Sequence, residues 1–181
     1  TPEAAAAALY YIPHTTLATA ALFLLTDAIA ARRGDYGDNL TPSPPFAQAG
    51  LLGVLFLLVG VAVVGLPPLS GFPGKLLILD AVRTTPYGWW IWGAVLGTTV
   101  LGLLAFARAG SALFWKSAAT PGEIAGAPPP ARPAALAVIA ALLGVLVLLT
   151  LYGGPVTAFA DRTAAQLFSP GQYIAAVLGG T

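Results

Sequence analysis

The sequence has no cysteine, no methionine and a single histidine, His14. Without cysteine there can be no disulfide, thiolate zinc site, iron–sulfur cluster or thiol nucleophile. One histidine removes most imidazole-based metal sites as well, so no metal site is expected. Charge is scarce: eight Lys and Arg and seven Asp and Glu make up 8% of 181 residues, where soluble domains carry roughly 25%. So few charges cannot cover the surface of a soluble domain that is 57% hydrophobic, with mean hydropathy +0.83. The same excess of apolar residues excludes disorder. A net charge of +1 provides no field to attract nucleic acid. What remains is an integral membrane protein. The chain opens Thr1-Pro2-Glu3, with no basic stretch ahead of the first apolar run such as a signal peptide has. It reads as the C-terminal piece of a longer protein.

A helix needs about 20 apolar residues to cross a hydrocarbon core. Four stretches qualify, at 4–31, 46–82, 87–115 and 133–152. Backbone groups in lipid must be satisfied within the segment, and the alternation of a barrel strand is absent, so these are read as helices. The expected fold is therefore an all-α polytopic transmembrane bundle of four spans, a single membrane domain over 1–181. The loops are Arg32–Pro45, with two Arg, two Asp, two Gly and three Pro, the short 83–86, and the Pro- and Gly-rich Lys116–Arg132. A modestly amphipathic tail at 155–181 is too short and too mixed to span, and is expected at the membrane interface or against the other helices. Arg32, Arg33, Lys116 and Arg132 fall on one side, and Arg83 and Arg162 on the other. This bias places the first and third loops in the cytoplasm. Trp89, Trp90 and Trp92 open the third span, where an aromatic belt belongs. Gly93 and Gly97 form a small-xxx-small pair that predicts close helix packing.

The second span is interrupted. Gly65 to Gly74 holds three Pro and three Gly in ten residues, which cannot remain regular helix. Apolar, helix-compatible sequence flanks it on both sides. This is the pattern of a discontinuous crossing, tolerated only where protein or a wet cavity covers the irregular backbone. Pro67, Pro68, Gly71 and Pro73 make the break, and Lys75 follows it.

Ionisable residues inside a span are functional candidates, because each costs roughly 2.5–3.5 kcal/mol at mid-helix. Lys75 is the foremost. A desolvated lysine can release and take up a proton near neutral pH, whereas one that reaches the far interface merely snorkels. His14, beside Pro13 in the first span, either belongs to a proton relay or bonds a neighbouring helix; Thr15, Thr16 and Thr19 add hydroxyls. Asp80 either faces Lys75 or pairs with Arg83, the second being favoured. Asp27 is expected to pair with Arg32. Arg108 either snorkels or faces the interior, where it would tune or gate, since arginine keeps its proton.

The stretch GLPPLSGFPGKLLILDA (65–81) resembles the broken-helix signature of the antiporter-like membrane subunits found in respiratory complex I, membrane-bound hydrogenases and the Mrp-type (Pha-type) cation/proton antiporters. Gly74-Lys75-Leu76-Leu77 is most similar to the D-type subunits of the Mrp/Pha antiporters, as are YYIPHTTLATAALFLLTDAI (10–29), ARAGSALFWKS (107–117) and YIAAVLG (173–179). The resemblance implies two inverted helix repeats, each with a broken helix and a central lysine. On it, Lys75 is the second broken-helix lysine on the proton path, and His14 lies in the preceding polar helix. Relatives often carry a lysine one turn after that histidine; here Thr19 stands at the position, which departs from the pattern. The first repeat would lie outside this chain. The resemblance also implies a multi-pass protein of the bacterial inner (plasma) membrane, in a hetero-oligomer with other Mrp/Pha subunits. It would exchange Na⁺ or K⁺ for protons without a nucleotide or redox cofactor. A proton-pumping membrane-arm subunit of a complex I-like or hydrogenase-type redox complex is the alternative, and a non-transporting scaffold the third reading.

Overall fold

A computed structural model describes residues 1–122 and 133–169, and, within the tail, Gly171, Ile174 and Val177. The described residues are all helical or irregular, without a strand. The first helix, α1 (Pro2–Ala30), is capped by Thr1, whose hydroxyl accepts from the Ala4 N–H at 3.3 Å; Pro2 and Glu3 occupy its first turn. Both suit a helix start, where N–H groups are free and the dipole favours an acid. Helix α2 spans Ala49–Val64 and α3 spans Gly71–Ala81. Helix α4 runs over Gly88–Ala118, with a π-helical stretch at Ser111–Trp115. Helix α5 covers Pro133–Leu151 and α6 covers Gly153–Leu167.

Three of these, α1, α4 and α5, are each long and apolar enough to cross a membrane. The 16-residue α2 and the 11-residue α3 are not. At 1.5 Å per residue they reach only about 24 and 17 Å of the ~30 Å required.

Helix α1 is the centre of the bundle and packs against α2, α3, α5 and α6. Its buried stripe, Ala7, Tyr10, His14, Ala18, Ala21, Leu25 and Ala28, advances by three or four residues. The many alanines let neighbouring helices approach closely, as suits packing in lipid. Ile139, Leu143 and Leu146 of α5 join Ala18, Ala21, Leu25 and Ala28 in one core, with Leu52, Leu55 and Val59 of α2. The Tyr10 hydroxyl donates to the Leu149 carbonyl at 3.4 Å, and Ala160 and Ala164 of α6 meet Ala6. Numbering thus rises along α5 and α6 as it falls along α1, and the two run antiparallel to it. The tail helix therefore lies on another helix, one of its two expected places.

Several expectations need correction. The sequence places the break over 65–74, but helix resumes at Gly71, so Gly71 and Pro73 belong to α3. A proline in the first turn removes no helical hydrogen bond, because the first N–H groups have no partner within the helix. Phe46 lies outside α2, with its ring buried, and α4 runs three residues past the expected end of its span. Space is open beside Gly93 and Gly97: a Cβ built on either meets nothing within 4 Å. Asp27 is exposed and makes no ion pair with Arg32, whose guanidinium turns to the Ala28 carbonyl and to Gln48 Oε1.

The Arg32–Pro45 connection is tied from within. Arg33 is fully buried and donates to the carbonyls of Gly37 (2.8 Å), Asn39 (2.6 Å) and Thr41 (2.5 Å), and to Ser43 Oγ (3.4 Å). Two of the four cations that weight the first and third loops are thus buried in the protein. Most of the Lys116–Arg132 linker, at 123–132, and most of 173–179 lie outside the described residues.

Candidate functional site at the α2–α3 junction

Helix α2 ends because Gly65 adopts a left-handed conformation, φ 72°, ψ 47°. Its N–H donates to the Ala62 and Val61 carbonyls, each at 3.1 Å, and the Leu66 N–H donates to Val61 at 3.0 Å. This is a Schellman closure, which satisfies carbonyls of the last turn and ends the helix. The Val64 carbonyl is left over, and Lys75 Nζ donates to it at 2.7 Å. The ammonium therefore sits at the negative end of the α2 dipole, where a cation is favoured.

Lys75 has a second partner. Its Nζ donates to Thr99 Oγ1 on α4 at 2.5 Å, and the Thr99 hydroxyl donates in turn to the Val95 carbonyl at 2.7 Å. A cavity of about 320 Å³ adjoins Lys75, lined among others by Tyr11, Val64, Ile78, Thr98 and Phe106. Lys75 is half-buried, and among the described residues no carboxylate pairs with it. The one ion pair among the described residues joins Asp80 to Arg83 at 3.7 Å, with both side chains more than 70% exposed.

His14 grips the other side of the junction. Its Nδ1 pairs with Ser70 Oγ at 2.9 Å, and both residues are buried. The Tyr11 ring lies against the imidazole, centroids 5.5 Å apart. Glycines make these approaches possible. A Cβ on Gly71 would lie 2.7 Å from His14 Nε2 and 2.9 Å from the Ala62 carbonyl oxygen, and one on Gly74 would lie 2.8 Å from the Tyr11 ring. A Cβ on Gly65 would meet the Lys75 stem at 2.9 Å.

The junction thus brings together His14, Lys75, Gly71 and the break that contains Pro67 and Pro68, with Pro73 just inside α3. Three of the sequence candidates stand apart. Thr19 is on an exposed face of α1, Arg108 is exposed on α4, and Asp80 is with Arg83. Sequence reasoning passes over Ser70, Tyr11 and Thr99. The adjacent hydroxyls Thr98-Thr99 in an otherwise apolar span are the available signal for the last.

Chemically, the site holds one cation on neutral oxygen acceptors and one imidazole on a hydroxyl. The first is bonded to the end of α2 and the second to Ser70, at the start of α3. Residues 1–102 match the family described as NADH:quinone oxidoreductase/Mrp antiporter, TM. That covers more than half of the chain, including His14, Lys75 and Thr99.

The chain belongs to the NADH:quinone oxidoreductase/Mrp antiporter transmembrane family.

Relatives come from both arms of this family. The D subunit of a Na(+)/H(+) antiporter from Bacillus subtilis is 30% identical over 186 residues, 98% of this chain and 35% of the relative. The probable D subunit of a K(+)/H(+) antiporter from Rhizobium meliloti is 27% identical over 194 residues, 91% of this chain and 35% of the relative. The "NADH-quinone oxidoreductase subunit 13" of Thermus thermophilus is 40% identical over 92 residues, 48% of this chain and 19% of the relative. The chain spans about a third of the length of the two antiporter relatives. Family and apolar helices together make it a multi-pass membrane protein.

Proposed function

We propose that this chain is part of a membrane subunit of a Na⁺ or K⁺/proton antiporter, and that Lys75 carries the proton at the α2–α3 junction. The observation that carries this reading is the seat of Lys75: an ammonium held by a helix-terminal carbonyl and a hydroxyl, with no counter-carboxylate among the described residues, beside a cavity. A lysine kept only for stability gains most from a carboxylate partner. A lysine on neutral acceptors can release its proton and take it back without breaking an ion pair. Neither α2 nor α3 spans a bilayer alone, so the pair is read as one discontinuous crossing with residues 65–70 at membrane depth. His14, on the opposite side of that segment, is the second proton-exchanging group on the path. Asp80, Arg108 and Thr19 would act, if at all, where this chain meets other protein.

The first and third loops are placed on the cytoplasmic side of a bacterial inner membrane. The partners are the other subunits of an Mrp/Pha-type hetero-oligomer, and no cofactor is required. The two antiporter relatives are named for different cations, so the choice of Na⁺ or K⁺ is left to experiment. The 40% identity to the Thermus subunit favours a second reading, a proton-pumping subunit of a redox complex.

The test expresses the complete subunit set in everted membrane vesicles and follows cation-induced dequenching of a pH dye. Wild type and Lys75→Ala are compared at equal membrane levels. Loss of antiport in an assembled complex is expected. Full activity in the variant refutes the assignment of Lys75. Co-purification with iron–sulfur or quinone-binding partners, without antiport, selects the redox reading.

A further inference from the structure

We propose that Thr99 is a positioning residue for Lys75, its hydroxyl oxygen fixing the ammonium between the end of α2 and the face of α4. The inference rests on the reading of Lys75 as the proton carrier, and adds the residue that holds it.

The geometry is specific. An ammonium has three donors, and here one goes to the Val64 carbonyl and one to Thr99 Oγ1. The third has no acceptor among the described residues, and Lys75 lines the cavity beside it. The Thr99 hydrogen is committed to the Val95 carbonyl at 2.7 Å, so the oxygen's lone pairs are what Lys75 meets. Thr99 therefore accepts from the ammonium while staying locked to its own helix. Most of α4 is exposed; Val95, Thr99, Gly102 and Phe106, spaced by three or four, form its partly buried inner stripe. Thr99 is the polar member of that stripe.

Few other groups compete for this role. From α1, Tyr11 lines the same cavity and His14 lies across the junction, bonded to Ser70. From α2 only the Val64 backbone carbonyl reaches Lys75. From α4 the polar groups are Thr99 and the cavity-lining Thr98, whose hydroxyl donates to Ala94 and Val95 carbonyls. On α3 itself, Asp80 is exposed and paired with Arg83. Of the two acceptors, Thr99 is the one a substitution can remove without touching the backbone.

The experiment measures antiport against pH in everted vesicles carrying the complete complex, for Thr99→Val, Thr99→Ser and Lys75→Ala. Valine keeps the shape and deletes the oxygen; serine keeps the oxygen. An ammonium with one acceptor fewer gives up its proton more readily. Thr99→Val is expected to lose activity about tenfold on the alkaline side, its profile displaced toward acid by about one pH unit. Thr99→Ser is expected to keep the wild-type profile. A wild-type profile in Thr99→Val, with Lys75→Ala inactive, overturns the role of Thr99 and leaves that of Lys75 standing. Activity in Lys75→Ala overturns both. Equal loss in the valine and serine variants without displacement makes Thr99 a packing residue and also overturns the proposal. If Thr99→Val does not assemble, Thr99→Ala, which demands no extra space, is read by the same displacement.

Discussion

Gly65 and Gly71 face each other across the α2–α3 junction so closely that a Cβ on Gly71 would lie 2.8 Å from the Cα of Gly65. The same Cβ would strike His14 Nε2 and the Ala62 carbonyl oxygen. These are backbone and a buried ring, neither of which can swing aside.

Gly71→Ala should therefore be among the most damaging single-methyl changes in the chain. Overpacking a filled site costs roughly 1–3 kcal/mol, and here the strain falls on both the helix end and the histidine. Gly97→Ala is the matched control: its Cβ meets nothing within 4 Å, and alanine is the better helix former by about 1 kcal/mol. Thermal unfolding of the detergent-solubilised protein should show Gly71→Ala melting lower than wild type and Gly97→Ala at or above it. A neutral Gly71→Ala would mean that the junction is looser than its geometry.

How much of this is legible in the sequence depends on the residue. Lys75 and His14 stand out because an apolar span makes any ionisable group conspicuous, and the Pro-Gly cluster announces that α2 must stop. Where helix resumes is not legible: Pro73 looks like a breaker, yet the first turn of a helix tolerates proline. Thr99 is hidden for a different reason. A threonine in a helix commonly bonds its own preceding turn, as Thr98 does with Ala94 at 2.7 Å, and only the three-dimensional meeting of α3 and α4 gives Thr99 a lysine. Arg33 reads as a charge at the membrane surface because four loop oxygens that gather around one guanidinium leave no mark in the composition.

That arginine yields a prediction of its own. Arg33 organises residues 37–43 by four hydrogen bonds, three of them to backbone carbonyls. A hydrogen bond to a charged group contributes about 1.5–3 kcal/mol. Arg33→Ala should release the loop, seen as rapid proteolytic cleavage between 34 and 45 that wild type resists. Arg33→Lys should recover only part of the protection, since a lysine cannot reproduce the planar fork. Equal resistance in all three would show that the loop is held by its apolar contacts instead.

Ser70 offers a third test. Its hydroxyl pairs with His14 Nδ1 rather than capping α3, and since a hydroxyl both donates and accepts, the roles in this contact follow the tautomer of the imidazole. In Ser70→Ala the ring loses that partner, at a cost of about 0.5–1.5 kcal/mol. Nitrogen NMR of histidine-labelled protein should show one tautomer in wild type and a mixture in Ser70→Ala. An unchanged spectrum would show that Ser70 does not govern the tautomer of His14.

The last prediction separates stability from function at Lys75. The ammonium gains from the Val64 carbonyl and the α2 dipole, the latter typically about 0.3–1 kcal/mol. Against this stands the cost of withdrawing a half-buried charge from water with no counter-ion among the described residues, a cost that a hydrophobic side chain avoids. Lys75→Met keeps an unbranched chain of similar length beside Gly65, so the space is filled and only the charge is lost. The balance of terms predicts a melting temperature equal to wild type or slightly above it, together with loss of antiport in the assembled complex. Such a split would mean that the charge is retained for what it does rather than for what it holds together. A Lys75→Met protein that melts well below wild type would reverse this conclusion and make Lys75 the cap of α2 first of all.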